Sequence, residues 1–578
     1  MRFDVAEATK GGREDRIFGY RVPQEDASVQ VEPWSIGEYR FNQEASLRSP
    51  VEVQHPRNVL CVFPAYTPAF GTFAHAFPLL YNVRAFMPPQ GLLVLAAYLP
   101  GSWKVRFVDE NISPAKADHF DWADVVLISG MHIQAPQIRD IHRRAKAASK
   151  PAVLGGPSVS AAPEMYPDID YLHIGELGDA TDALIARLDD DASPPDSQVR
   201  FTTGERLPLS DFPIPAYELI PLGQYLIGSI QFSSGCPYEC EFCDIPGLYG
   251  RVPRLKTAEQ VIAELNAMLA QPSAPQTIYF VDDNFIGNRK AARHMLPHLV
   301  EWQKRNGFPL SFACEATLNI AKQTEILELM RAASFVNIFV GIETPDIDAL
   351  KSMRKDHNAK LPILDSIRTL NSYGMEVTSG IILGLDTDTE SSVDRLIEFI
   401  DQSKIPVLTI NLLQALPKTP LWDRLERDHR ITDDLRLESN VRFLRPYDEV
   451  VASWRRCIAH AYEPERLFDR FWHQVDSTYV NRINPSGRGR LTFGNLRMGA
   501  VLAFRLLVCI GLKSDYRRHY WRAARYALKR GQIDAVMGMG FVAYHLIQFT
   551  REALRGEQNA SFYSTRERET PKPTAAAA

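Results

Sequence analysis

Three cysteines stand close together in the chain and could bind an inorganic cofactor. Cys236, Cys240 and Cys243, three of the seven cysteines of this 578-residue sequence, lie within eight residues directly after a strand-like pattern. A structural zinc site normally uses four ligands, commonly as two separated pairs, and no second Cys or His pair lies nearby. An inert buried cysteine would explain one thiol and not three. The C-x3-C-x2-C spacing therefore favours a [4Fe-4S] cluster bound through three irons, with the fourth iron open.

Together with the aromatic Phe242 before the last cysteine, this motif resembles the signature of the radical S-adenosylmethionine (SAM) enzymes. The resemblance implies that the cluster cleaves SAM reductively to methionine and a 5'-deoxyadenosyl radical, which takes a hydrogen atom from the substrate. It also implies SAM contacts: Phe242 and the Gly384 segment to the adenine, Asp282 or Asp283 to the methionine amino group, and Glu343 to the ribose. Because an Asp at a strand end is more often a helix N-cap, that alternative stays open for the two aspartates.

Short apolar runs separated by helical patterns precede the cysteine motif and indicate a domain of their own. The helical patterns include residues 88–99 and 135–148. Strands that alternate with helices predict a parallel, doubly wound sheet whose ligand crevice lies at the carboxyl ends of the strands. The predicted strands cover residues 58–66, 103–111, 124–132, 151–159 and 171–176.

Glycine-rich segments end several of these strands, and none of them matches the G-x-G-x-x-G pattern of nicotinamide-binding folds. The segments GGPSVSAAPE and DYLHIGELGDA, placed before a radical SAM barrel, are similar to the cobalamin-binding domain of the cobalamin-dependent branch of that superfamily. Small residues suit a flat corrin that approaches the backbone closely, although glycines also end strands in any doubly wound fold. The resemblance implies cobalamin contacts at Tyr66, Ser129, Gly130, Met131, Gly155, Gly156, Gly175 and Glu176.

The sequence offers no histidine in the usual place for a lower cobalt ligand. The loop after the first strand, PAYTPAFGTF, lacks a D-x-H-x-x-G motif, and the nearest match, at residues 140–145, lies inside a helical pattern. We therefore interpret His142 as an ordinary surface residue of a helix and predict that cobalamin binds without a histidine ligand. Tyr66, Met131 and His132 border the expected crevice, and the sequence does not distinguish between them.

Six further strand patterns follow a proline-rich connector, and the first of them leads into the cysteine motif. Helical patterns such as residues 258–270 fall between the strands. Six βα units predict a partial barrel of TIM type, with its chemistry at the C-terminal ends of the strands. The strand patterns cover residues 229–235, 277–284, 310–316, 336–344, 376–385 and 408–416.

The last part of the chain has helical patterns and resembles the C-terminal extension of cobalamin-binding radical enzymes, hopanoid methylases among them. From residue 486 to residue 530 there are eleven Lys or Arg residues and one acid, Asp515, interrupted by apolar blocks such as MGAVLAF and LLVCIGL. A solvated helical face with a small apolar stripe is one interpretation. We favour a helix pair on an anionic membrane surface, because each block is too short to span a membrane and a lipid-modifying enzyme needs a route to its substrate.

The composition excludes several classes of protein. A net charge of −5 gives no overall sign of nucleic-acid binding, and the sequence has no DNA-binding motif. An odd number of cysteines in a long chain argues against a secreted disulfide framework. The N-terminus lacks a secretory signal, and no uncharged apolar run reaches the roughly 18 residues of a membrane span. These features predict a cytoplasmic protein, with peripheral contact on the inner face of the membrane.

The resemblance covers about residues 57 to 480 and is strongest to bacterial hopanoid C-2 methylases. It implies a radical SAM methyltransferase that takes a methyl group from SAM, through methylcobalamin, to an unactivated carbon of a lipid or polycyclic terpenoid, with C-2 of a hopanoid as the expected target. An external electron donor is also implied. One alternative keeps the cofactors but methylates, cyclises or ring-contracts another natural product, and a second is a non-catalytic cobalamin or iron-sulfur sensor. The sequence singles out no catalytic residue.

The predicted fold is of the α/β class, with six segments in chain order. They are an irregular N-terminal extension (residues 1–55), a Rossmann-like cobalamin-binding domain (56–195), a linker (196–225), a partial (β/α)6 TIM-type radical SAM barrel (226–425), a helical C-terminal region with possible membrane contact (426–555) and a disordered tail (556–578).

Overall fold

A computed structural model describes residues 48–483 and 493–559 of the chain. The expectations for most of the N-terminal extension, for residues 484–492 of the basic segment and for most of the tail lie outside the described residues.

Residues 58 to 202 form a six-stranded sheet in which every neighbouring pair is parallel, as the alternating pattern predicts. Alternate residues of β1 point to opposite layers. Val59, Cys61 and Phe63 pack with α1 and α5, and Leu60 and Val62 pack with α2 and α3. Both faces of the sheet are therefore covered, which explains the continuous apolar runs of its strands. The elements are β1 (Asn58–Phe63), α1 (Gln90–Tyr98), β2 (Lys104–Asp109), α2 (Ala117–Trp122), β3 (Val125–Ser129), α3 (Ala135–Ala147), β4 (Ala152–Gly155), α4 (Pro157–Ala161), β5 (Tyr171–Ile174), α5 (Asp179–Asp190) and β6 (Val199–Thr202).

The strand order is β2-β1-β3-β4-β5-β6, so the chain reverses direction across the sheet between β1 and β3. In an open α/β sheet, ligands bind outside the carboxyl ends of the strands at such a reversal. The loops that begin after Phe63 and Ser129 therefore border the expected crevice.

The sixth strand was missing from the sequence interpretation, which treated residues 196–225 as a linker. β6 is only four residues long and alternates partly buried and exposed positions, so its hydrophobic signal is weak. It pairs in parallel with β5 from Tyr171 to Ile174 and extends the sheet at its edge.

A second sheet of six parallel strands, in the order β14-β13-β12-β11-β10-β7, forms the predicted partial barrel. A two-residue antiparallel pair, β8 with β9, brackets the cysteine motif next to this sheet. The strands are β7 (Gly228–Ile230), β8 (Ser233–Ser234), β9 (Arg254–Leu255), β10 (Thr277–Phe280), β11 (Ser311–Glu315), β12 (Phe335–Glu343), β13 (Glu376–Leu383) and β14 (Val407–Leu412). The helices between them are α6 (Ile245–Leu248), α7 (Ala258–Leu269), α8 (Arg289–Arg305), α9 (Thr324–Ala332), α10 (Ile347–Ser352), α11 (Asp356–Ala359), α12 (Ile363–Ser372) and α13 (Ser392–Ser403).

The C-terminal region is helical, as predicted, and shares one hydrophobic core with the barrel. The Trp454 indole of α15 donates to the carbonyl oxygen of Ile410 in β14 at 2.8 Å. Phe549 of α19 lies with its ring centroid 4.5 Å from that of Phe70, which belongs to the loop after β1. The helices are α14 (Pro420–Arg427), α15 (Tyr447–Ala461), α16 (Pro464–Ser477), α17 (Phe493–Leu506), a π-helical segment (Leu507–Leu512), α18 (Arg517–Lys529) and α19 (Ile533–Leu554).

Short 3-10 helices complete the described elements. They are Ala74–Leu79, His132–Gln134, Pro163–Met165, Leu209–Asp211, Tyr217–Leu219, Leu222–Gln224, Leu318–Lys322 and Tyr479–Asn481. Within residues 48–483 and 493–559, no helix is both long enough and apolar enough to cross a bilayer.

Candidate active site

The three clustered cysteines lie on the loop that leaves β8 and enters α6. Their thiols are partly exposed and form no disulfide. The backbone N–H of Cys243 donates to the carbonyl oxygen of Cys240 at 3.1 Å, and that of Cys236 donates to Gly250 at 3.2 Å. Gly235 precedes them with a φ of 97°, and a side chain there would meet the Gly250 carbonyl oxygen at 2.9 Å. The loop therefore needs a glycine at this position in order to fold back on itself.

These thiols are suited to a cluster of several metal ions. Burial raises the pKa of the Cys243 thiol well above its usual value and also raises the pKa of Cys236 and Cys240. Thiolates at such a site need cations to stabilise them, and iron binding would release their protons. Among the described residues, no three His, Cys, Asp or Glu side chains are arranged to hold a single metal ion. A cubane cluster makes a different demand, since each thiolate binds an iron of its own.

The two predicted aspartates at the end of β10 hold the backbone that leads into this loop. Both carboxylate oxygens of Asp282 accept hydrogen bonds, from the N–H groups of Phe232 at 2.8 Å and Ser233 at 2.9 Å. One oxygen of Asp283 accepts the N–H of Gly235 at 2.7 Å. Burial raises the pKa of Asp282 to about 7 and that of Asp283 to about 6. Asp282 is thus committed to the loop, and Asp283 is the aspartate better placed to meet a ligand.

Glu343, the predicted ribose contact, ends β12 in the left-handed region with a φ of 65°. Its carboxylate forms a buried ion pair with Lys355, with 2.5 Å between Oε1 and Nζ. Although burial opposes the charged form, the nearby Glu343 carboxylate raises the pKa of Lys355, so the Lys355 ammonium keeps its charge. A side chain at Gly341 would lie 2.4 Å from Glu343 Oε1, and the missing Cβ makes room for the pair. Sequence reasoning missed Lys355, which belongs to no motif.

Phe242 and the segment after Gly384 come together around one cavity, although they are more than 140 residues apart. The cavity has a volume of about 180 Å³, and apolar side chains line most of it. Arg424 crosses its rim and pairs with Glu241 at 2.6 Å and Asp386 at 2.7 Å. The apolar lining consists of Phe242, Met353, Leu385, Leu413 and Leu421. A flat, largely apolar ring such as adenine fits this chemistry.

Gly384 itself lies at the turn after β13, with a φ of 89°. Its N–H donates to the Asp388 carboxylate at 2.8 Å, and a Cβ there would meet the ring of Phe443 at 2.6 Å. The position therefore requires glycine for packing as well as for backbone conformation.

The predicted cobalamin residues border the reversal between β1 and β3. Tyr66 follows β1 and donates from its hydroxyl to the sulfur of Met131 at 3.6 Å. Burial raises the pKa of Tyr66, so this hydroxyl keeps its proton. A Cβ at Gly130 would lie 2.9 Å from Ile138 of α3. The absence of a side chain at Gly130 lets α3 approach the sheet next to the crevice.

The other predicted glycines allow close approaches along the same edge. Gly156 has a φ of 91°, and a Cβ there would meet the Ser129 hydroxyl at 2.5 Å. Gly175 has a φ of 112° and would meet Thr203 at 2.9 Å. Gly155 has looser surroundings, with His173 at 3.8 Å. These glycines therefore let neighbouring segments of the domain pack closely at the edge of the crevice.

For two histidines in this domain, the structure changes the sequence interpretation: it corrects that of His142 and adds detail to that of His132. His142 is a buried residue of α3 and not a surface one, because this side of the helix faces the segment of Asp168 and Asp170 before β5. His132, which follows Met131, is mostly buried, and its Nδ1 has no hydrogen-bond partner within the described part of the chain. Burial lowers the pKa of His132 to about 4, so its imidazole is neutral at the crevice.

Glu176 lies at the junction between the two sheets. Its carboxylate accepts hydrogen bonds from Arg254 of β9 at 2.8 and 2.5 Å and pairs with Arg206 at 3.1 Å. Arg206 also donates to the carbonyl oxygens of Leu248 at 2.8 Å and Tyr249 at 3.0 Å, which end the cysteine loop. This network, which sequence reasoning missed, joins the crevice edge to the cysteine loop.

A polar pair inside the barrel was also missed. Glu315 ends β11 and accepts a hydrogen bond from the Tyr279 hydroxyl at 3.3 Å. Burial, followed by the nearby charge of Asp283, raises the pKa of Glu315 to about 7. Its position at the end of a barrel strand was the available signal, since the other predicted acids share that position.

Three family descriptions match successive parts of the chain. Residues 78–185 match the B12 binding domain, residues 230–400 match the Radical SAM superfamily, and residues 419–559 match a domain of unknown function (DUF4070).

Several known proteins are similar over most of the chain, among them one relative and two solved structures. The hopanoid C-2 methylase of Rhodopseudomonas palustris (strain TIE-1) is 60% identical over 520 residues, which cover 90% of this chain and 98% of that protein. The cobalamin-dependent SAM radical enzyme OxsB, with aqua-cobalamin and SAM bound, superposes with a TM-score of 0.54 at 13% identity, over 87% of this chain and 81% of that one. TsrM from Kitasatospora setae, with cobalamin and a [4Fe-4S] cluster bound, gives a TM-score of 0.53 at 14% identity, over 82% and 100% of the two chains.

Proposed function

This chain belongs to the cobalamin-binding radical SAM methyltransferases, and from that premise we propose that it transfers a methyl group to C-2 of a hopanoid. The observation that carries the proposal is the 60% identity with a hopanoid C-2 methylase over 98% of that protein. Two chains so similar over most of their length share a fold.

Cys236, Cys240 and Cys243 would hold a [4Fe-4S] cluster. When bound, the cluster supplies the electron that splits SAM, and cobalamin carries the methyl group. The chain itself shapes the loop, because Asp282 and Asp283 fix its entry and the Gly250 carbonyl oxygen fixes its return. The Lys355 ammonium, which lies over the Phe242 ring at 5.4 Å, adds a positive charge that stabilises thiolates nearby.

Phe242 and the Gly384 segment would bind the adenine of SAM, Glu343 the ribose, and Asp283 the methionine amino group, with Asp282 holding the loop behind it. The cavity beside Phe242 supports the adenine position, since apolar side chains line most of it and the Arg424 ion pairs add polar groups at its edge. A carboxylate that keeps one of its oxygens for a ligand is a strong partner for an ammonium group in a buried site.

Cobalamin would lie along the crevice edge of the first domain, within residues 56–195, and would reach towards the barrel of residues 226–425. The contacts in this proposal are Tyr66, Ser129, Gly130, Met131, Gly155, Gly156, Gly175 and Glu176. Glu176 would also hold the crevice edge against the barrel domain, through its ion pair with Arg254. No histidine ligand to cobalt is part of the proposal, because the loop after β1 carries Tyr66 where such a motif would stand.

The proposal includes a route to the substrate and a source of electrons. A hopanoid is a lipid, so we expect the protein to work on the cytoplasmic side as a peripheral protein of the membrane, and to receive electrons from an external donor. The loop after β1 lies against the barrel, because the Ser229 hydroxyl of β7 donates to its Pro88 carbonyl oxygen at 2.9 Å, and the loop carries the aromatic residues Phe73, Phe77 and Phe86. Aromatic side chains here would give a polycyclic hydrocarbon an apolar wall.

The experiment that tests the proposal uses enzyme purified and reconstituted without oxygen. The reduced protein is incubated with SAM that carries a labelled methyl group and with a hopanoid extract, and the lipids are analysed by mass spectrometry. We expect label at C-2 of a hopanoid, and none with the Cys240→Ala variant. Label only in another product, or SAM cleavage without any labelled hopanoid, would show that the substrate assignment is wrong.

A further inference from the structure

One edge of the C-terminal region exposes several large apolar side chains to solvent. We call it the α17 edge and define it as Leu496, Phe504, Leu507 and Leu512, on α17 and the π-helical segment that continues it. Their exposed fractions are 57%, 66%, 40% and 61%. Single exposed apolar residues are normal, but four large ones along one helix indicate a surface that meets an apolar partner.

Three of the four residues lie along one side of α17 and its continuation, and Leu512 ends the π-helical segment. Leu496, Phe504 and Leu507 are eight and three residues apart, which returns them to the same side of an α-helix. The opposite side supplies the core, because Leu506 and Ile510 are buried against α18 and α19. The helix therefore has apolar residues on an inner side and on an outer side. Within the described residues, the inner side packs into the core and the outer side remains exposed to solvent.

Basic residues are frequent along the chain in and after the α17 edge. Between Phe493 and Arg530 there are nine Lys or Arg residues and a single acid, Asp515, which pairs with Arg551 of α19 at 2.7 Å. Arg517 and Arg518, at the start of α18, are exposed next to Lys513 at the end of the π-helical segment. A cationic border around exposed leucines and phenylalanine is complementary to a layer of phosphates above acyl chains.

We propose that the α17 edge is the face by which the protein lies on a bilayer that contains anionic phospholipids. The four apolar side chains enter the outer part of the acyl layer, and the surrounding Lys and Arg side chains contact lipid phosphates. The helix lies in the plane of the interface, since no described helix can span the membrane. A second protein is the less favoured occupant, because this part of the chain is strongly basic and an anionic lipid layer offers both negative charge and acyl chains.

The structure links this face to the barrel. Arg505 donates to the carbonyl oxygens of Pro78 at 2.9 Å and Leu80 at 2.7 Å, and Arg497 donates to the Tyr81 hydroxyl at 2.8 Å. Both arginines thus fasten α17 to the segment after β1, whose Pro88 carbonyl oxygen accepts a hydrogen bond from the Ser229 hydroxyl of β7 at 2.9 Å. A protein seated on its α17 edge would hold this segment between the membrane and the barrel. In this respect the inference rests on the proposed lipid substrate.

The test measures sedimentation of the full-length protein with vesicles of phosphatidylcholine, with and without phosphatidylglycerol. The variant F504S/L512S removes two side chains of the α17 edge, and the variant L444S is a matched control, because Leu444 is 67% exposed elsewhere on the surface. We expect the wild type and L444S to bind vesicles that contain phosphatidylglycerol and to be released by high salt. We expect F504S/L512S to bind at least about tenfold more weakly.

Several outcomes would overturn the inference. They are a wild type that does not bind vesicles, an edge variant that binds like the wild type, and binding that depends neither on phosphatidylglycerol nor on salt. Light scattering on a gel-filtration column adds another, because an oligomer that dissociates in F504S/L512S would show that the edge is a protein interface. Equal cobalamin content and circular dichroism establish that the variant is folded.

Failure of this inference can be told apart from failure of the proposed function. Methylation of a detergent-solubilised hopanoid needs no bilayer, so we expect F504S/L512S to retain it. If no form of the protein binds vesicles but methylation is intact, only the membrane face is rejected. If the protein binds vesicles but methylates no hopanoid, the substrate assignment is rejected and the proposed membrane face is supported.

Discussion

The Glu176 carboxylate and the Arg254 guanidinium bridge the two sheets at 2.8 and 2.5 Å. Glu176 follows β5 at the crevice edge, and Arg254 lies in β9, which pairs with the strand that leads into the three cysteines. The contact therefore joins the domain expected to hold cobalamin to the loop expected to hold the cluster. Two further nitrogens of Arg254, Nε and Nη1, are buried and have no hydrogen-bond partner within the described part of the chain.

The first prediction is that Glu176→Gln and Arg254→Gln uncouple SAM cleavage from methyl transfer. Either change removes one partner of a mostly buried ion pair, so the contact between the two domains is weakened. The reacting groups are then less precisely placed, and a small misplacement has a large effect on rate. We expect the ratio of 5'-deoxyadenosine to methylated product to rise about tenfold. The control Asp365→Asn breaks an exposed pair with Arg368 and should leave the ratio unchanged.

A structural readout accompanies this measurement. The magnetic interaction between reduced cluster and cob(II)alamin, observed by electron paramagnetic resonance, depends on their separation and should change in Glu176→Gln but not in Asp365→Asn. The swapped variant E176R/R254E should recover part of the coupling. An unchanged product ratio in both single variants, with cofactors bound, would mean that the ion pair has no positioning role.

The second prediction separates the two neighbouring aspartates. Asp282→Ala leaves the buried N–H groups of Phe232 and Ser233 without acceptors, and we expect a loss of about 2–4 kcal/mol in the free energy of unfolding together with low iron content. Asp283→Asn keeps an oxygen for the N–H of Gly235 and should retain iron, but it should bind SAM about tenfold more weakly because a charged acceptor is lost. Iron analysis, urea unfolding and equilibrium dialysis measure these effects. The assignment of roles would be reversed if Asp282→Ala kept iron and Asp283→Asn lost it.

The third prediction concerns the cysteines. Cys240→Ala should lower iron from about four atoms per chain to near background after anaerobic reconstitution, because three thiolates are needed to hold such a cluster. Cys509→Ala is the control, since Cys509 is also a free, partly exposed thiol but lies in the π-helical segment. Zinc in place of iron in the wild type would contradict the cluster and the chemistry that depends on it.

The fourth prediction is a pH dependence of stability. His545 of α19 is fully buried and donates to the carbonyl oxygen of Ala69 at 3.0 Å, and burial lowers its pKa to about 3. The unfolded chain takes up a proton near pH 6.5 and the folded chain only near pH 3, so stability falls as the pH decreases through this window. Between pH 7.5 and pH 5 we expect the wild type to lose about 2 kcal/mol more than His545→Gln.

Melting temperatures of the two proteins at both pH values measure this difference. Other buried groups titrate in the same range, but those that do not contact His545 are common to both proteins and cancel in the comparison. His75, whose Nδ1 lies 3.3 Å from that of His545, is replaced by Gln in both proteins of a second pair, in which we expect the same difference. His429→Gln, at an exposed position, should follow the wild type. An acid-induced loss that is equal in wild type and His545→Gln would exclude His545 as its source.

The sequence determined the features that depend on residues close together in the chain. The offsets of four and three residues between Cys236, Cys240 and Cys243 fix a loop with three thiols wherever that loop is placed. The apolar runs at the spacing of alternating strands and helices determined two parallel sheets and their order of elements, because strands buried on both faces need such runs. Glycines such as Gly235 and Gly384 carried a local signal too, since their backbone conformations exclude most other residues.

Tertiary structure decided which of these residues meet. Glu176 and Arg254 are 78 residues apart, and their contact depends on how two domains dock, which sums many weak packing contributions that no local pattern encodes. The same reason applies to the Glu343 ion pair with Lys355, to the burial of His142, and to the division of labour between Asp282 and Asp283. The composition of residues 486–530 indicated a basic, apolar surface, but only the packing of Leu506 and Ile510 into the core determined which side of α17 remains outside.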